Sequence, residues 1–342
     1  MRAREYGFTV GSMPCGQLNK ITDVPGVLVG HTTINENGNH TGVTVILPGA
    51  ENPFTNKLPC ASFVLNGFGK TLGLVQVNEL GTLETPIALT NTLNVGLVHD
   101  AMVGYMIDRC RADGIRLTSV NPVVCECNDA SLNDIQLRSV RESHVRASIN
   151  AACADFEEGA VGCGAGMTCH GFKGGVGSAS RIVELNGEKF TVGILAQTNH
   201  GRQKDLTIAG KPVGQMIADY EELPDKGSCI MILATDAPLS DRQLHRVITR
   251  CSVGLARLGS YIGHGSGEVF IGFSTANRIK SDADDLYVTR AVNESRMELF
   301  FRAAAECAEE AVLNSLFEAK QTRHGDTVRR ALPDCMKEAG LL

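Results

Sequence analysis

His264-Gly265-Ser266-Gly267-Glu268-Val269-Phe270-Ile271-Gly272-Phe273-Ser274-Thr275 holds, from Glu268 onward, a short apolar run that reads as one buried β-strand. A Gly-Ser bond at the head of such a strand, deep inside a chain, is a candidate for self-cleavage. Gly265 has no Cβ, so it tolerates strained backbone angles and leaves its carbonyl open to attack. Ser266 carries a hydroxyl beside that carbonyl. Attack would turn the peptide into an ester, and water would then free Ser266 as a new N-terminus. Its α-amine, with an ordinary pKa of about 7.7–8.0, would be a built-in base for the same hydroxyl. The same residues also fit a plain Gly-Ser-Gly turn entering a strand, and the local pattern does not decide between the two.

The 342 residues are 43% hydrophobic, enough to bury a large core. Net charge is −6 and the basic residues are scattered, which excludes a nucleic-acid partner from the expectations. There are 37 glycines, 5% aromatics and no tryptophan, a composition suited to close backbone packing and glycine-shaped loops. The opening residues Met1 to Val10 have no apolar core of a signal peptide, and no later stretch approaches membrane-spanning length. No membrane partner is expected. The 12 cysteines sit mostly in apolar runs, as Cys229 and Cys251 do, and read as reduced, buried small hydrophobes of a cytoplasmic protein. The close pair Cys125-Glu126-Cys127 lacks both zinc spacing and a matching second pair. His170 near Cys169 and Cys163 is its only candidate complement, so neither metal nor cofactor is expected.

Apolar runs bounded by Gly, Pro and Asn recur at Val27–Val29, Val43–Leu47, Ala61–Leu65, Val123–Cys125 and Ile230–Thr235. Arg181–Leu195 reads as a hairpin turning on Asn186-Gly187, which fits a type I′ turn. Val95–Arg111 has amphipathic helical spacing, and Glu298–Lys320 is alanine-rich without Gly or Pro. Ser240-Asp241-Arg242-Gln243 is a capping box for a helix expected to end near Gly259. Interleaved strands and helices imply an α+β or mixed α/β arrangement of layered sheets and helices. No linker or repeat divides residues 1–342, so one domain is expected, with Gly265–Ser266 its only intended break.

Several familiar motifs fail. Asn66-Gly67-Phe68-Gly69-Lys70-Thr71 ends like a phosphate loop, but its first glycine would be position 64, a valine. Gly162-Cys163-Gly164-Ala165-Gly166 lacks the third glycine of a dinucleotide fingerprint, having Met167 there. Gly265-Ser266-Gly267 is not Gly-x-Ser-x-Gly, so no nucleophile elbow is present. His264 and Ser266 have same-face spacing, yet a base that leaves with the departing chain end is an odd choice.

Short motifs in fixed order resemble those of the self-processing N-terminal-serine aminopeptidases, the DmpA-type L-aminopeptidase/D-Ala-esterase-amidases and β-peptidyl aminopeptidases. They run from Ile21-Thr22-Asp23-Val24-Pro25-Gly26-Val27 and Thr41-Gly42-Val43-Thr44 through Asn66-Gly67-Phe68-Gly69 and Leu89-Thr90-Asn91-Thr92. Pro122-Val123-Val124, Leu132-Asn133-Asp134, Phe172-Lys173-Gly174-Gly175 and Ala179-Ser180-Arg181 follow, then Gln197-Thr198-Asn199, Gly265-Ser266-Gly267 and Glu309-Glu310-Ala311-Val312-Leu313-Asn314. The resemblance implies a four-layer αββα sandwich, layered like the N-terminal-nucleophile hydrolases but differently connected. It also implies cleavage into an α chain 1–265 and a β chain 266–342, and a homo-oligomer, often a tetramer. The implied activity is release of N-terminal residues from small peptides, aminoacyl amides or esters. An acyltransferase resembling the ornithine acetyltransferases, or a non-catalytic oligomeric binding protein of this fold, are the alternatives. The former use threonine as the new N-terminus, where this chain has Ser266.

The same resemblance assigns roles. Ser266 is the nucleophile and Asn199 the oxyanion donor. Glu126, in the matching Val-Val-x-Glu run, is the carboxylate for a substrate ammonium, with Asp129 or Asp134 as substitutes. Glu310 matches a helical glutamate that holds the nucleophile through a hydroxyl two residues earlier. That position is Ala308 here, which breaks the relay, and Glu306 is the alternative carboxylate. The glycine-dense loop 159–177 is expected to line the cleft with backbone N–H groups.

Overall fold

The computed structural model describes residues 1–217, 227–281 and 286–342. Nine strands carry the layers: β1 Leu28–Glu36, β2 Asn39–Leu47, β3 Asn56–Gly67, β4 Ile87–Asn91, β5 Val123–Cys127, β6 Gly175–Leu185, β7 Glu188–Asn199, β8 Ser228–Thr235 and β9 Gly267–Ser274. The helices that cover them are α1 Val95–Ala112, α2 Glu142–Asn150, α3 Asp241–Ile248, α4 Cys251–Arg257 and α5 Met297–Glu318. One sheet has the order β1-β2-β4-β5, antiparallel except for the β4–β5 pair. The other runs β3-β9-β8-β7-β6, with only β8 and β9 parallel.

The sheets face each other across a dry layer that includes Val29, Leu89, Val123, Leu195, Ile232 and Ile271. Helices α1 and α2 close the outer face of the first sheet through Val98, Met102, Val145 and Ile149. Helices α3, α4 and α5 close the outer face of the second through Leu244, Leu255, Phe300 and Val312. This is the expected αββα sandwich. Four layers explain why β8 and β9 bury every residue, since helices cover one face and a sheet the other. Along β9, Val269, Ile271 and Phe273 enter the inter-sheet layer while Phe270 packs toward the helices.

Local chemistry accounts for the elements. The β6–β7 hairpin turns on Asn186 (φ 52°) and Gly187 (φ 81°), the two positive angles a type I′ turn requires. Asn37 (φ 52°) and Gly38 (φ 76°) do the same between β1 and β2, a second Asn-Gly turn that the sequence reading passed over. Ser240 caps α3, its Oγ accepting from the Gln243 N–H. That helix does not continue to Gly259 as expected, because it breaks at Thr249-Arg250 before α4 begins. There the Thr249 hydroxyl donates to the Arg246 carbonyl at 2.8 Å and the Ser252 hydroxyl to the Thr249 carbonyl at 2.6 Å, competing with the helical ladder. Helix α5 lies close on β6: a Cβ on Gly177 would stand 2.0 Å from the Ala311 carbonyl.

Candidate active site

At the end of the second sheet where β9 begins, strand register lines up Asn199, Ser228 and Gly267 on three adjacent strands. Neighbouring strands lie about 4.8 Å apart, so Asn199 and the head of β9 stand about 10 Å apart at the backbone. A cleft of about 950 Å³ opens there, lined by Asn199, Glu126, Phe68, Tyr261, His264 and Gly265 among others. Ser266 lies just beneath, fully buried.

The approach to Ser266 is bent and tightly held. Ile262 has φ 59°, a genuine outlier for a β-branched side chain and a strain of about 1–3 kcal/mol. The Ser266 N–H donates to the Gly263 carbonyl at 3.0 Å. Asn66, on β3 beside β9, aims its amide nitrogen at the carbonyls of Gly263 (3.0 Å), His264 (3.4 Å) and Ser266. The segment around the Gly265–Ser266 bond is therefore clamped by one side chain. The Ser266 hydroxyl donates to Glu268 Oε1, not to His264, whose side chain is exposed.

Asn199 is oriented from two sides. Its Oδ1 accepts from the Thr168 N–H at 2.8 Å and its Nδ2 donates to the Asn128 carbonyl at 2.9 Å. Thr168 lies within the glycine-dense loop, which Lys173 ties together. The Lys173 ammonium donates to the carbonyls of Gly164, Met167 and Gly174 at 3.0, 3.0 and 2.7 Å. Burial pushes that amine down to about 7.

Glu126 lies within β5 rather than after it, opposite Thr90 of β4. It is buried, accepts from the Lys70 N–H at 3.0 Å and from the Thr92 hydroxyl, and lines the cleft. A fixed carboxylate facing a cleft suits a cationic group. Its two stand-ins fall elsewhere. Asp129 is enclosed by Asn91 and Asn133 at 3.0 and 3.1 Å, and Asp134 lines a different depression.

Glu310, on α5, is held in a buried ion-pair cluster, bound by Arg181 at 2.6 Å, Arg4 at 2.5 Å and Asn19 at 2.6 Å. Burial alone would push its carboxyl up, yet Arg4 and Arg181 outweigh it and hold it below the usual range. Arg181 pairs with Val192, seven residues before Asn199 on β7, so its backbone stands about 24 Å from Asn199 along the strand at about 3.4 Å per residue. Glu306 is in the same cluster, 2.9 Å from Arg181. The hydroxyl that α5 does bring toward the site end is Ser315, 2.7 Å from the Thr198 hydroxyl. The carboxylate that sequence reasoning missed is Glu268, although a charge two residues after Ser266 in a strand read as buried was the available signal.

Among the described residues the group able to hold a metal is Cys169, His170 and His200, ligand atoms within 4.8 Å of one another. Cys163 packs instead in the inter-sheet layer. Burial, reinforced by His170, pushes the His200 imidazole well below its ordinary range.

Two mixed sheets between helical layers, with a serine heading a central strand beneath a cleft, are layered like the Ntn-hydrolase-type fold of the aminopeptidase structure this chain is similar to. The chain belongs to peptidase family S58, which it matches over residues 19–329. It is 37% identical to the β-peptidyl aminopeptidase BapA of Sphingosinicella microcystinivorans over 96% of this chain and 89% of that one. The PH0078 protein of Pyrococcus horikoshii superposes with TM-score 0.93 at 47% identity, covering both chains completely. The L-aminopeptidase D-Ala-esterase/amidase of Ochrobactrum anthropi, a prototype for the serine aminopeptidases and a variant of the Ntn hydrolase fold, superposes with TM-score 0.92 at 36% identity, covering all of this chain and 99% of that one. No helix among the described residues is long and apolar enough to cross a membrane.

Proposed function

We propose that the chain cuts itself between Gly265 and Ser266 and then works as an N-terminal-serine aminopeptidase. The observation that carries this reading is Ser266 heading the central strand β9 directly beneath a cleft that Glu126 and Asn199 line. The α chain 1–265 and β chain 266–342 stay together as one domain, because β9 is paired on both edges by strands of the α chain. After the cut, the Ser266 α-amine takes the hydroxyl proton as Oγ attacks the substrate carbonyl. Asn199 steadies the oxyanion with an amide N–H, while Glu126 holds the substrate's ammonium. Glu310 anchors the N-terminal segment in this reading. Substrates are small peptides, aminoacyl amides or esters, with β-residues favoured by the kinship to the β-peptidyl aminopeptidase. The enzyme works without a cofactor, in the cytoplasm, as a homo-oligomer, a tetramer by family habit.

Mass spectrometry of the purified protein tests it. A fragment beginning at Ser266 is expected, and Ser266→Ala should stay full length and fail to release p-nitroaniline from aminoacyl p-nitroanilides. A Ser266→Ala protein that is cut and active would refute the assignment.

A further inference from the structure

Before the cut, the amine that serves as base in the mature enzyme does not exist. The Ser266 nitrogen is still the Gly265 amide and donates to Gly263. A serine hydroxyl is a poor nucleophile until some group takes its proton, so self-cleavage needs a different acceptor. Two candidates flank the serine. His264 is exposed while Ser266 is fully buried, and no hydrogen bond joins them. Glu268 is also fully buried, and its Oε1 accepts the hydrogen bond from Ser266 Oγ. Ser266 directly precedes β9 and Glu268 is the second residue of that strand, so the backbone holds the two side chains close together. A carboxylate in a strand buried on both faces is costly to retain for packing alone, and Val269, Phe270, Ile271 and Phe273 show what packing selects here.

Resting on the cleavage site proposed above, we infer that Glu268 is the catalytic acid–base residue of the self-cleavage. Glu268 takes the Oγ proton as Oγ bonds to the Gly265 carbonyl carbon. The tetrahedral centre then expels the Ser266 nitrogen, and the proton held on Glu268 passes to that nitrogen as the C–N bond breaks. This leaves an α-amine and an ester joining Gly265 to Ser266 Oγ. Water splits the ester into the Gly265 carboxylic acid and the Ser266 hydroxyl. Glu268 ends as it began, and the new amine takes over as base. Asn66 is the positioning residue, holding the carbonyls on either side of the bond while it rearranges.

The test follows the cutting of full-length wild type, Glu268→Gln, Glu268→Asp and Ser266→Ala by mass spectrometry after refolding from denaturant. Loss of a general base typically costs about 10²–10⁴-fold, so Glu268→Gln should slow the appearance of the Ser266 fragment by at least about 100-fold. Glu268→Asp keeps the carboxylate and should recover part of that rate. Hydroxylamine at neutral pH cleaves esters readily, and its slower attack at the Asn-Gly bonds gives fragments of other masses; it should release no Ser266 fragment from Glu268→Gln, because the ester never forms. Wild-type cutting in Glu268→Gln, or its full restoration by hydroxylamine, would overturn the assignment. If Glu268→Gln melts unlike Ser266→Ala, Glu268→Asp decides alone: slowed cutting in a folded chain supports the role and a wild-type rate refutes it. A wild-type chain that never releases the fragment refutes the cleavage site and the assignment together, and is told apart because the parent rather than the variant stays whole.

Discussion

Two glutamates show how much position outweighs residue type. Glu126 and Glu310 are both buried carboxylates, but one faces a cleft and the other faces two arginines. On the proposed function, removing the charge of Glu126 should leave the cleft intact and deprive a substrate ammonium of its partner. A charge-assisted bond of about 1.5–3 kcal/mol corresponds to a loss of about 10- to 100-fold in kcat/KM for Glu126→Gln, measured on free-amine p-nitroanilides. Unchanged kinetics would remove Glu126 from the binding site. Glu310→Gln should behave the other way. Breaking a buried ion pair costs about 3–5 kcal/mol, so its melting temperature should fall clearly while kcat of the cut enzyme holds. A large drop in kcat with normal melting would instead support the nucleophile-holding role that the family resemblance implies for Glu310.

At the scale of elements, the glycine-dense loop keeps its shape because three of its carbonyls share one buried ammonium. Lys173→Met leaves those carbonyls without their donor, at about 1–3 kcal/mol for each unsatisfied group. Since the same loop presents the Thr168 N–H to Asn199, both melting temperature and kcat should fall. A variant that loses stability but keeps kcat would show that Asn199 is oriented without the loop. Sequence made the β6–β7 hairpin legible because Asn186-Gly187 encodes its turn in two residues, and Ser240 marked the start of α3 in the same local way. The break at Thr249-Arg250 was hidden because hydroxyls compete with the helix only where packing lets them. The family resemblance singled out Ser266, Asn199 and Glu126, and Asn199 and Glu126 do line one cleft at the end where β9 begins. The ion-pair cluster around Glu310 was not legible, because adjacency along α5 says nothing of how far up β6 the helix docks. Arg181, which pairs with Val192 across the sheet, draws Glu310 into its ion-pair cluster.

For the whole molecule, layering decides what can meet Ser266. Helices lie over one face of β9 and a second sheet over the other, and the hydroxyl has no exposed surface. Another copy of the protein cannot insert a reactive group there without opening the core. The cut should therefore run as a private clock inside each molecule: a tenfold dilution should leave its half-time unchanged, and adding already matured enzyme should not seed the reaction. Gel densitometry against time at several protein concentrations measures this, and a half-time that shortens with concentration would mean that one molecule trims another. Onset of activity would then be set by the age of each polypeptide since folding, not by how crowded its surroundings are.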